Sequence, residues 1–85
     1  MFFVYIIKSD LDRKLYVGST NDLKRRLKEH NMGLVRSTKI RIPFKLIYYE
    51  AYASEKEARH REHNLKLRAK ARKQLLRRIT ESLAM

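Results

Sequence analysis

The run from Phe2 to Ile7 constrains the fold of this chain more than any other feature of the sequence. Its residues are all apolar, most are aromatic or β-branched, and no polar residue alternates with them. Such a run is typical of a strand that is covered on both faces, so we expect it at the centre of a sheet. The run is too short for the core of a signal peptide or for a membrane span, and no basic segment precedes it. We therefore expect a cytoplasmic protein that has no membrane partner.

Two further strands are predicted around this central strand. The turn-forming residues Ser9–Asp12 are followed by a second strand over Lys14–Gly18, which completes a hairpin. The segment Phe44–Tyr52 is rich in aromatic and β-branched residues and predicts the third strand. The segment Met32–Pro43 has the composition of a long surface loop, and loops of that length are often functional.

The first predicted helix follows the hairpin directly. Asn21 or Asp22 caps its start, it runs to about Asn31, and Gly33 suits its C-terminal end. Its inner stripe consists of Leu23, Leu27 and His30.

Two more helices are predicted in the second half of the chain. Ser54, with Glu57 three residues later, forms a capping box that opens a helix running to about Leu67. A last helix is expected from about Lys70 to Ser82. Its buried side is expected to contain Leu75, Leu76, Ile79 and Leu83.

The charge of the chain indicates its partner. Lys and Arg number 21 against 9 acidic residues, and the net charge is +12 on 85 residues. An excess of this size is typical of proteins that bind nucleic acid, because each neutralised phosphate releases counterions. A solvated basic face on an unrelated protein is the alternative. The length predicts one domain over residues 1–85, and the absence of cysteine excludes disulfides and thiolate metal sites.

Four side chains in the first half of the chain are candidates for chemistry. A connection over residues 9–12 would place Tyr5 opposite Tyr16, with both phenols on the same face of the hairpin. Arg26 and His30 are four residues apart on a helix and share a face. Taken singly, a strand tyrosine is more often a core residue, and an exposed arginine is often only solvated. The four side chains together are suited to stabilise an anionic transition state.

Glu62 is the fifth candidate. Helical periodicity places it in the stripe made by Ala58, Leu65 and Ala69, so its carboxylate faces inward. A buried carboxylate needs a partner, which is either a structural arginine or a bound cation.

Several separated motifs agree in order with one known family. They are Val4-Tyr5-Ile6, Tyr16-Val17-Gly18, Asp22–Asn31, Arg41–Glu50 and Arg61–Lys66. Over nearly the whole chain the sequence resembles the GIY-YIG nucleases, and in particular their small stand-alone bacterial members. The resemblance implies an α/β (α+β), GIY-YIG endonuclease-like fold with a small three-stranded antiparallel sheet flanked by helices.

The resemblance also implies roles for the five candidates. Tyr5 and Tyr16 are the motif tyrosines, one of which helps to activate water, and Arg26 stabilises charge on the phosphate. His30 supports proton transfer, and Glu62 is the metal ligand for one Mg²⁺ or Mn²⁺ ion. His60 and His63, near Glu62, are three residues apart, which is not the spacing of the two histidines in a zinc-binding helix.

The function expected from these features is metal-dependent hydrolysis of phosphodiester bonds in DNA, with RNA not excluded. Many family members carry an Asn after the metal-binding helix, and this chain offers only Gln74 in that region. The alternative is therefore a nucleic-acid-binding module that keeps the fold without turnover. In either case we expect the nucleic-acid backbone to be contacted by basic residues. They are Lys24, Arg25, Arg36, Lys39, Arg41, Arg59, Arg61, Lys66, Arg68, Lys70, Arg72 and Lys73.

Overall fold

The computed structural model describes all 85 residues as one three-stranded antiparallel sheet with helices on both faces. The strand order is β2-β1-β3, so the first strand is central, as predicted. None of the four helices is long or apolar enough to cross a membrane. In chain order the elements are β1 (Phe2–Ser9), β2 (Leu15–Thr20), α1 (Leu23–Asn31), a 3₁₀ turn (Lys39–Arg41), β3 (Phe44–Tyr52), α2 (Glu55–Leu67), α3 (Ala69–Arg78) and α4 (Thr80–Ala84).

The central strand contributes to a separate core on each face of the sheet. Val4 and Ile6 point to the face covered by α2 and α3, where they pack with buried residues such as Leu65. Tyr5 and Ile7 point to the face covered by α1. This arrangement explains why β1 shows no alternation of apolar and polar residues, since neither face meets water.

The pairing of β1 with β2 differs from the prediction. Tyr5 pairs with Gly18, and Tyr16 pairs with Ile7, so the two tyrosines are not directly opposite. The turn is two residues longer than expected because the Ser9 hydroxyl accepts hydrogen bonds from two turn amides and Arg13 adopts a left-handed conformation, with φ 63°. A shift of two residues in the register of β2 against β1 leaves each side chain on the same face of the sheet. The Tyr5 and Tyr16 phenols therefore both still lie on the α1 face.

The predicted helix starts are confirmed by their caps. The Asp22 side chain accepts a hydrogen bond from the Arg25 amide, so Asp22 and not Asn21 caps α1. The Ser54 side chain accepts a hydrogen bond from the Glu57 amide and caps α2. The prediction of one final helix is wrong, because the chain leaves the helical conformation at Ile79, with ψ 32°, and starts α4.

Two contacts explain this break between α3 and α4. Ile79 packs against the core of the α2 face. The ammonium group of Lys8, at the end of β1, donates a hydrogen bond to the carbonyl oxygen of Leu83 in α4. Together they turn the end of the chain back onto the sheet.

The segment between α1 and β3 lies largely on the surface, as its composition suggested, but two of its side chains are buried. Val35 is 8% exposed and Thr38 is fully buried. The Asn31 side chain joins the two ends of the segment, since it both donates to and accepts from the backbone of Phe44. The segment is therefore a surface loop that is anchored by two buried side chains and by Asn31.

Candidate active site

His30 is the centre of a buried hydrogen-bonded chain on the α1 face. Its side chain is fully buried, its Nε2 lies 2.8 Å from the Tyr5 hydroxyl, and its Nδ1 lies 2.8 Å from the Thr38 hydroxyl. The Thr38 hydroxyl also lies 3.4 Å from the carbonyl oxygen of Val35 and donates to it. Thr38 therefore accepts from the Nδ1 hydrogen, and Nε2 is left to accept from Tyr5.

The environment of His30 keeps its imidazole neutral. Burial, and after it the nearby positive charge of Arg26, lower the pKa of His30 from 6.5 to about 4. A neutral imidazole has one donor and one acceptor nitrogen, which is the pattern that Thr38 and Tyr5 require. The histidine is therefore a hydrogen-bond acceptor toward Tyr5 at neutral pH.

Tyr5 is protonated in the same conditions. Burial raises the pKa of Tyr5 to about 12, whereas the neighbouring positive charge of Arg26 acts in the opposite direction. Arg26 in turn forms an ion pair with Glu29 at 3.1 Å and is one-third exposed. The Arg26 guanidinium therefore acts on the buried Tyr5 phenol and is also accessible to solvent at the surface of α1.

Gly18 makes room for the Tyr5 phenol. A Cβ atom at this position would lie 2.4 Å from the Tyr5 hydroxyl oxygen and 2.5 Å from the adjacent ring carbon. Real Cβ contacts are not this short, so only glycine allows the phenol to cross β2 and reach His30.

Tyr16 lies beside the same histidine. The ring centroids of Tyr16 and His30 are 5.2 Å apart in an edge-to-face arrangement. The Tyr16 hydroxyl has no hydrogen-bond partner in the protein, in contrast to that of Tyr5. The Lys66 ammonium lies 5.6 Å from the centroid of the Tyr16 ring. The structure thus brings Tyr5, Tyr16, Arg26 and His30 together, as the sequence indicated.

Glu62 reaches the site from α2, at the edge strand β2. Its Oε1 accepts a hydrogen bond of 2.8 Å from the Ser19 hydroxyl, and its Oε2 lies 2.8 Å from the Lys66 ammonium. The negative charge of Glu62 also raises the pKa of Tyr5. Ala58 and Leu65 are buried on the same side of α2, as predicted.

The prediction that Ala69 continues this stripe is wrong. Helix α2 ends at Leu67, and Ala69 is an exposed residue that opens α3.

The residues around Glu62 fit a single hard cation. Carboxylate oxygens are ligands that Mg²⁺ and Mn²⁺ prefer, and Mg²⁺ commonly keeps several waters and phosphate oxygens in addition to one or two carboxylates. No group of three His, Cys, Asp or Glu side chains lies close enough to hold a metal by protein ligands alone. Glu62 would therefore hold such an ion together with water and substrate.

A polar cleft opens beside Arg26. It has a volume of about 310 Å³ and lies between the first turns of α1 and α2, at the end of β2. Three guanidinium groups line it, together with their ion-pair partners Glu29 and Glu55 and with Ser19, which is also the partner of Glu62. The arginines are Arg25, Arg26 and Arg59.

The predicted nucleic-acid contacts divide into two groups. Five have no side-chain partner in the protein and are exposed: Lys24, Arg36, Lys39, Lys70 and Lys73. The other seven are engaged by protein groups: Arg25, Arg41, Arg59, Arg61, Lys66, Arg68 and Arg72.

Arg41 and Arg61 have structural partners. Arg41 lies 2.6 Å from Asp12, is 22% exposed, and its hydrogen bond holds the pKa of that carboxyl at about 2. Arg61 donates through two nitrogens to Glu50, which also accepts from the hydroxyls of Tyr48 and Tyr52. Burial opposes ionisation of Glu50, but these hydrogen bonds outweigh it and lower its pKa.

Sequence reasoning missed the contacts of Thr38 and Ser19. Both are small hydroxyl residues in segments whose partners depend on tertiary structure. No local pattern pairs Thr38 with a histidine eight residues earlier, or Ser19 with a glutamate 43 residues later. The polar cluster around Glu50 was missed for the same reason.

Comparison with known proteins agrees with this geometry. The family model described as the GIY-YIG catalytic domain matches residues 1–75. A UPF0213 protein of Clostridium perfringens is 43% identical over 67 residues, which are 78% of this chain and 71% of the relative. A UPF0213 protein of Haloquadratum walsbyi is 37% identical over 75 residues, which are 87% of this chain and 83% of the relative. The solution NMR structure of a UPF0213 protein from Bacillus halodurans is similar, with a TM-score of 0.55 and 35% identity, and the match covers 89% of this chain and 83% of that one.

Proposed function

This chain belongs to the GIY-YIG family, and on that premise we propose that it is an endonuclease that hydrolyses phosphodiester bonds in DNA with one divalent metal ion. The observation that carries the proposal is the hydrogen bond from the Tyr5 hydroxyl to a buried, neutral His30, with Arg26 beside the phenol. A phenol held in this way can exchange protons with a substrate and with an internal acceptor.

Tyr5 and His30 supply a path for one proton. As Tyr5 takes a proton from the attacking water, its own phenolic proton passes to Nε2 of His30. With a pKa of about 4, the imidazole is a weak base, so it holds this proton only transiently and returns it to Tyr5, which passes a proton to the leaving oxygen of the cleaved bond. Thr38 fixes the tautomer that leaves Nε2 free to accept.

Arg26 and Tyr16 act on the substrate. The Arg26 guanidinium, permanently charged and one-third exposed, stabilises the negative charge that develops on the phosphate. The unpartnered Tyr16 hydroxyl is available to the attacking water or a phosphate oxygen.

Glu62 is the residue that would hold the divalent ion. When bound, Mg²⁺ or Mn²⁺ supplies positive charge to the phosphate oxygens. The Ser19 hydroxyl fixes the orientation of the carboxylate, and its other oxygen is directed toward the Lys66 ammonium, which lies 5.6 Å from the centroid of the Tyr16 ring.

The basic surface supports a nucleic-acid partner. Exposed Lys and Arg side chains without protein partners lie on α1, on the segment before β3 and on α3. The cleft beside Arg26 offers an approach for the phosphate backbone. Contacts of this type carry no sequence information, so we expect little sequence preference.

A cleavage assay tests the proposal. Labelled single-stranded, duplex and branched DNA, and the same strands as RNA, are incubated with the purified protein in EDTA, Mg²⁺ or Mn²⁺. We expect cleavage of DNA only when a divalent ion is present. Tyr5→Phe protein purified in parallel controls for contaminating nucleases. Binding without cleavage under every condition would instead identify a non-catalytic nucleic-acid-binding module.

A further inference from the structure

We propose that Lys66 is an internal counter-ion that occupies the metal-binding face of Glu62 until substrate phosphate draws it away, so that metal and nucleic acid bind cooperatively. This role of Lys66 rests on the proposed function in one respect, the assignment of Glu62 as the metal ligand. Lys66 would couple the binding of the metal ion to the binding of nucleic acid.

The geometry places the Lys66 ammonium where a cation would bind. Both oxygens of Glu62 are already engaged, one by the Ser19 hydroxyl and the other by Lys66 at 2.8 Å. The hydroxyl is neutral and compatible with a bound metal, whereas the ammonium carries a full positive charge. Lys66 is therefore the group that a divalent ion has to displace or tolerate.

The same ammonium is suited to leave. The Lys66 side chain is 42% exposed, while that of Glu62 is only 20% exposed. The two residues are four apart on α2, and an ion pair with one solvent-exposed partner at this spacing is held weakly. A lysine has a long flexible stem, so its ammonium can move several ångströms without a change in the backbone.

The position of Tyr16 indicates where the ammonium goes. Lys66 lies 5.6 Å from the centroid of the Tyr16 ring, so it is beside the tyrosine whose hydroxyl is proposed to meet the attacking water or a phosphate oxygen. A phosphate bound there would compete with Glu62 for the ammonium. Once Lys66 pairs with phosphate, Glu62 regains an open oxygen for the metal.

This exchange links the two binding events. Nucleic acid that removes Lys66 from Glu62 raises the metal affinity, and by thermodynamic reciprocity the metal raises the affinity for nucleic acid by the same factor. In the absence of nucleic acid the lysine lowers metal affinity by charge repulsion and by competition for the carboxylate.

Direct Mn²⁺ binding tests the inference without any cleavage assay. Mn²⁺ affinity is measured by electron paramagnetic resonance at low ionic strength for wild type, Lys66→Gln and Lys56→Gln. Lys56 is the matched control because it is an exposed lysine on the same helix with no contact to Glu62. We expect Lys66→Gln to bind Mn²⁺ about fivefold more tightly than wild type, as expected for the loss of a weak ion pair, while Lys56→Gln binds like wild type.

Three results would overturn the inference. Unchanged or weaker Mn²⁺ binding by Lys66→Gln would show that the lysine does not compete, and equal tightening by Lys56→Gln would reduce the effect to net charge. Mn²⁺ binding that survives Glu62→Gln would remove the shared premise. In that last case the metal assignment in the proposed function fails as well, whereas the first two results leave it standing.

Discussion

At the scale of single residues, one buried histidine joins four segments of the chain. His30, on α1, accepts a hydrogen bond from Tyr5 on β1 and donates one to Thr38 in the segment before β3. Its ring also packs edge-to-face against Tyr16 on β2. Its side chain has no exposed surface, so both ring nitrogens depend on these protein partners. The residue is therefore important for stability as well as for the proposed chemistry.

The two tyrosines are predicted to differ when each is replaced by phenylalanine. Tyr5→Phe removes the donor to the buried Nε2 of His30, so we expect a loss of about 1 to 3 kcal/mol of stability. Tyr16→Phe removes a hydroxyl with no protein partner and should leave the melting temperature nearly unchanged. Both should lower the cleavage rate by roughly 10² to 10⁴ because proton transfer is lost. Wild-type cleavage by both variants would mean that the tyrosines are only core residues.

Stability is predicted to fall in mild acid because of His30. Its pKa is about 4 in the folded protein and 6.5 in the unfolded chain. Below about pH 6.5 the unfolded chain therefore binds a proton that the folded protein does not, and stability is lost as the pH falls toward 4. Denaturant unfolding between pH 7.5 and about 4.5 measures this loss.

His60→Gln serves as the control for this measurement because His60 is exposed and should leave the profile unchanged. The acidic groups with lowered pKa values, Asp12 and Glu50, act mainly at lower pH and do not obscure the upper part of the range. Stability that stays flat from pH 7.5 to 5 would argue against a neutral buried histidine.

At the scale of elements, α2 is fixed to both edges of the sheet by adjacent residues. Glu62 contacts Ser19 on β2, and Arg61 makes a two-nitrogen ion pair with Glu50 on β3. Ala58 and Leu65 bury the same helix against β1. The position of the proposed metal ligand thus depends on the packing of a whole helix over the sheet.

Gly18→Ala is predicted to damage both the β1–β2 pair and the site. The added methyl group would overlap the Tyr5 phenol, which is held on the other side by His30. We expect a loss of about 1 to 3 kcal/mol, as for other overpacked cores, together with reduced cleavage.

Gly33→Ala is the matched control for this change. Gly33 has φ 75°, so alanine is strained there by about 1 to 2 kcal/mol, but the nearest side-chain atom is 3.9 Å away and belongs to Lys39. Thermal unfolding and cleavage of the two variants separate strain in the fold from damage to the site. Full activity in Gly18→Ala would contradict the close approach of Tyr5.

The sequence predicts elements better than it predicts contacts, for physical reasons visible in particular residues. Caps such as Asp22 and Ser54 act locally, so the helix starts could be predicted. The register of β2 depends on hydrogen bonds to Ser9 in the turn, and the break at Ile79 depends on packing against the sheet. Likewise, Thr38 becomes part of the site only because the folded chain brings it to His30.

At the scale of the whole molecule, the net charge of +12 lies on a body only 28 × 25 × 20 Å in extent. Acidic residues neutralise part of this charge by pairing with basic residues such as Arg26, Arg41, Arg61 and Lys66. The unpaired basic residues on α1, on the segment before β3 and on α3 therefore dominate the field that a polyanion meets.

DNA binding is predicted to depend steeply on salt. If about six phosphates are contacted, affinity should fall roughly 10³-fold between about 50 and 200 mM salt. Replacing both Lys70 and Lys73 with Gln should reduce the slope of log affinity against log salt by about one for each phosphate that is no longer neutralised. Fluorescence anisotropy in EDTA measures the slope, with Lys56→Gln as a control. Binding that hardly changes with salt would contradict a phosphate-based interface.

Mg²⁺-dependent cleavage of DNA by Glu62→Gln and by wild type, measured together with thermal unfolding of both proteins, tests most directly whether Glu62 holds a catalytic metal. The substitution keeps the shape of the side chain and its hydrogen bond to Ser19 but removes the negative charge. We expect cleavage to be lost while the fold and DNA binding persist, since an anion near the phosphates has been removed. Retained Mg²⁺-dependent cleavage by a folded Glu62→Gln protein would contradict the assignment of this carboxylate as the metal ligand.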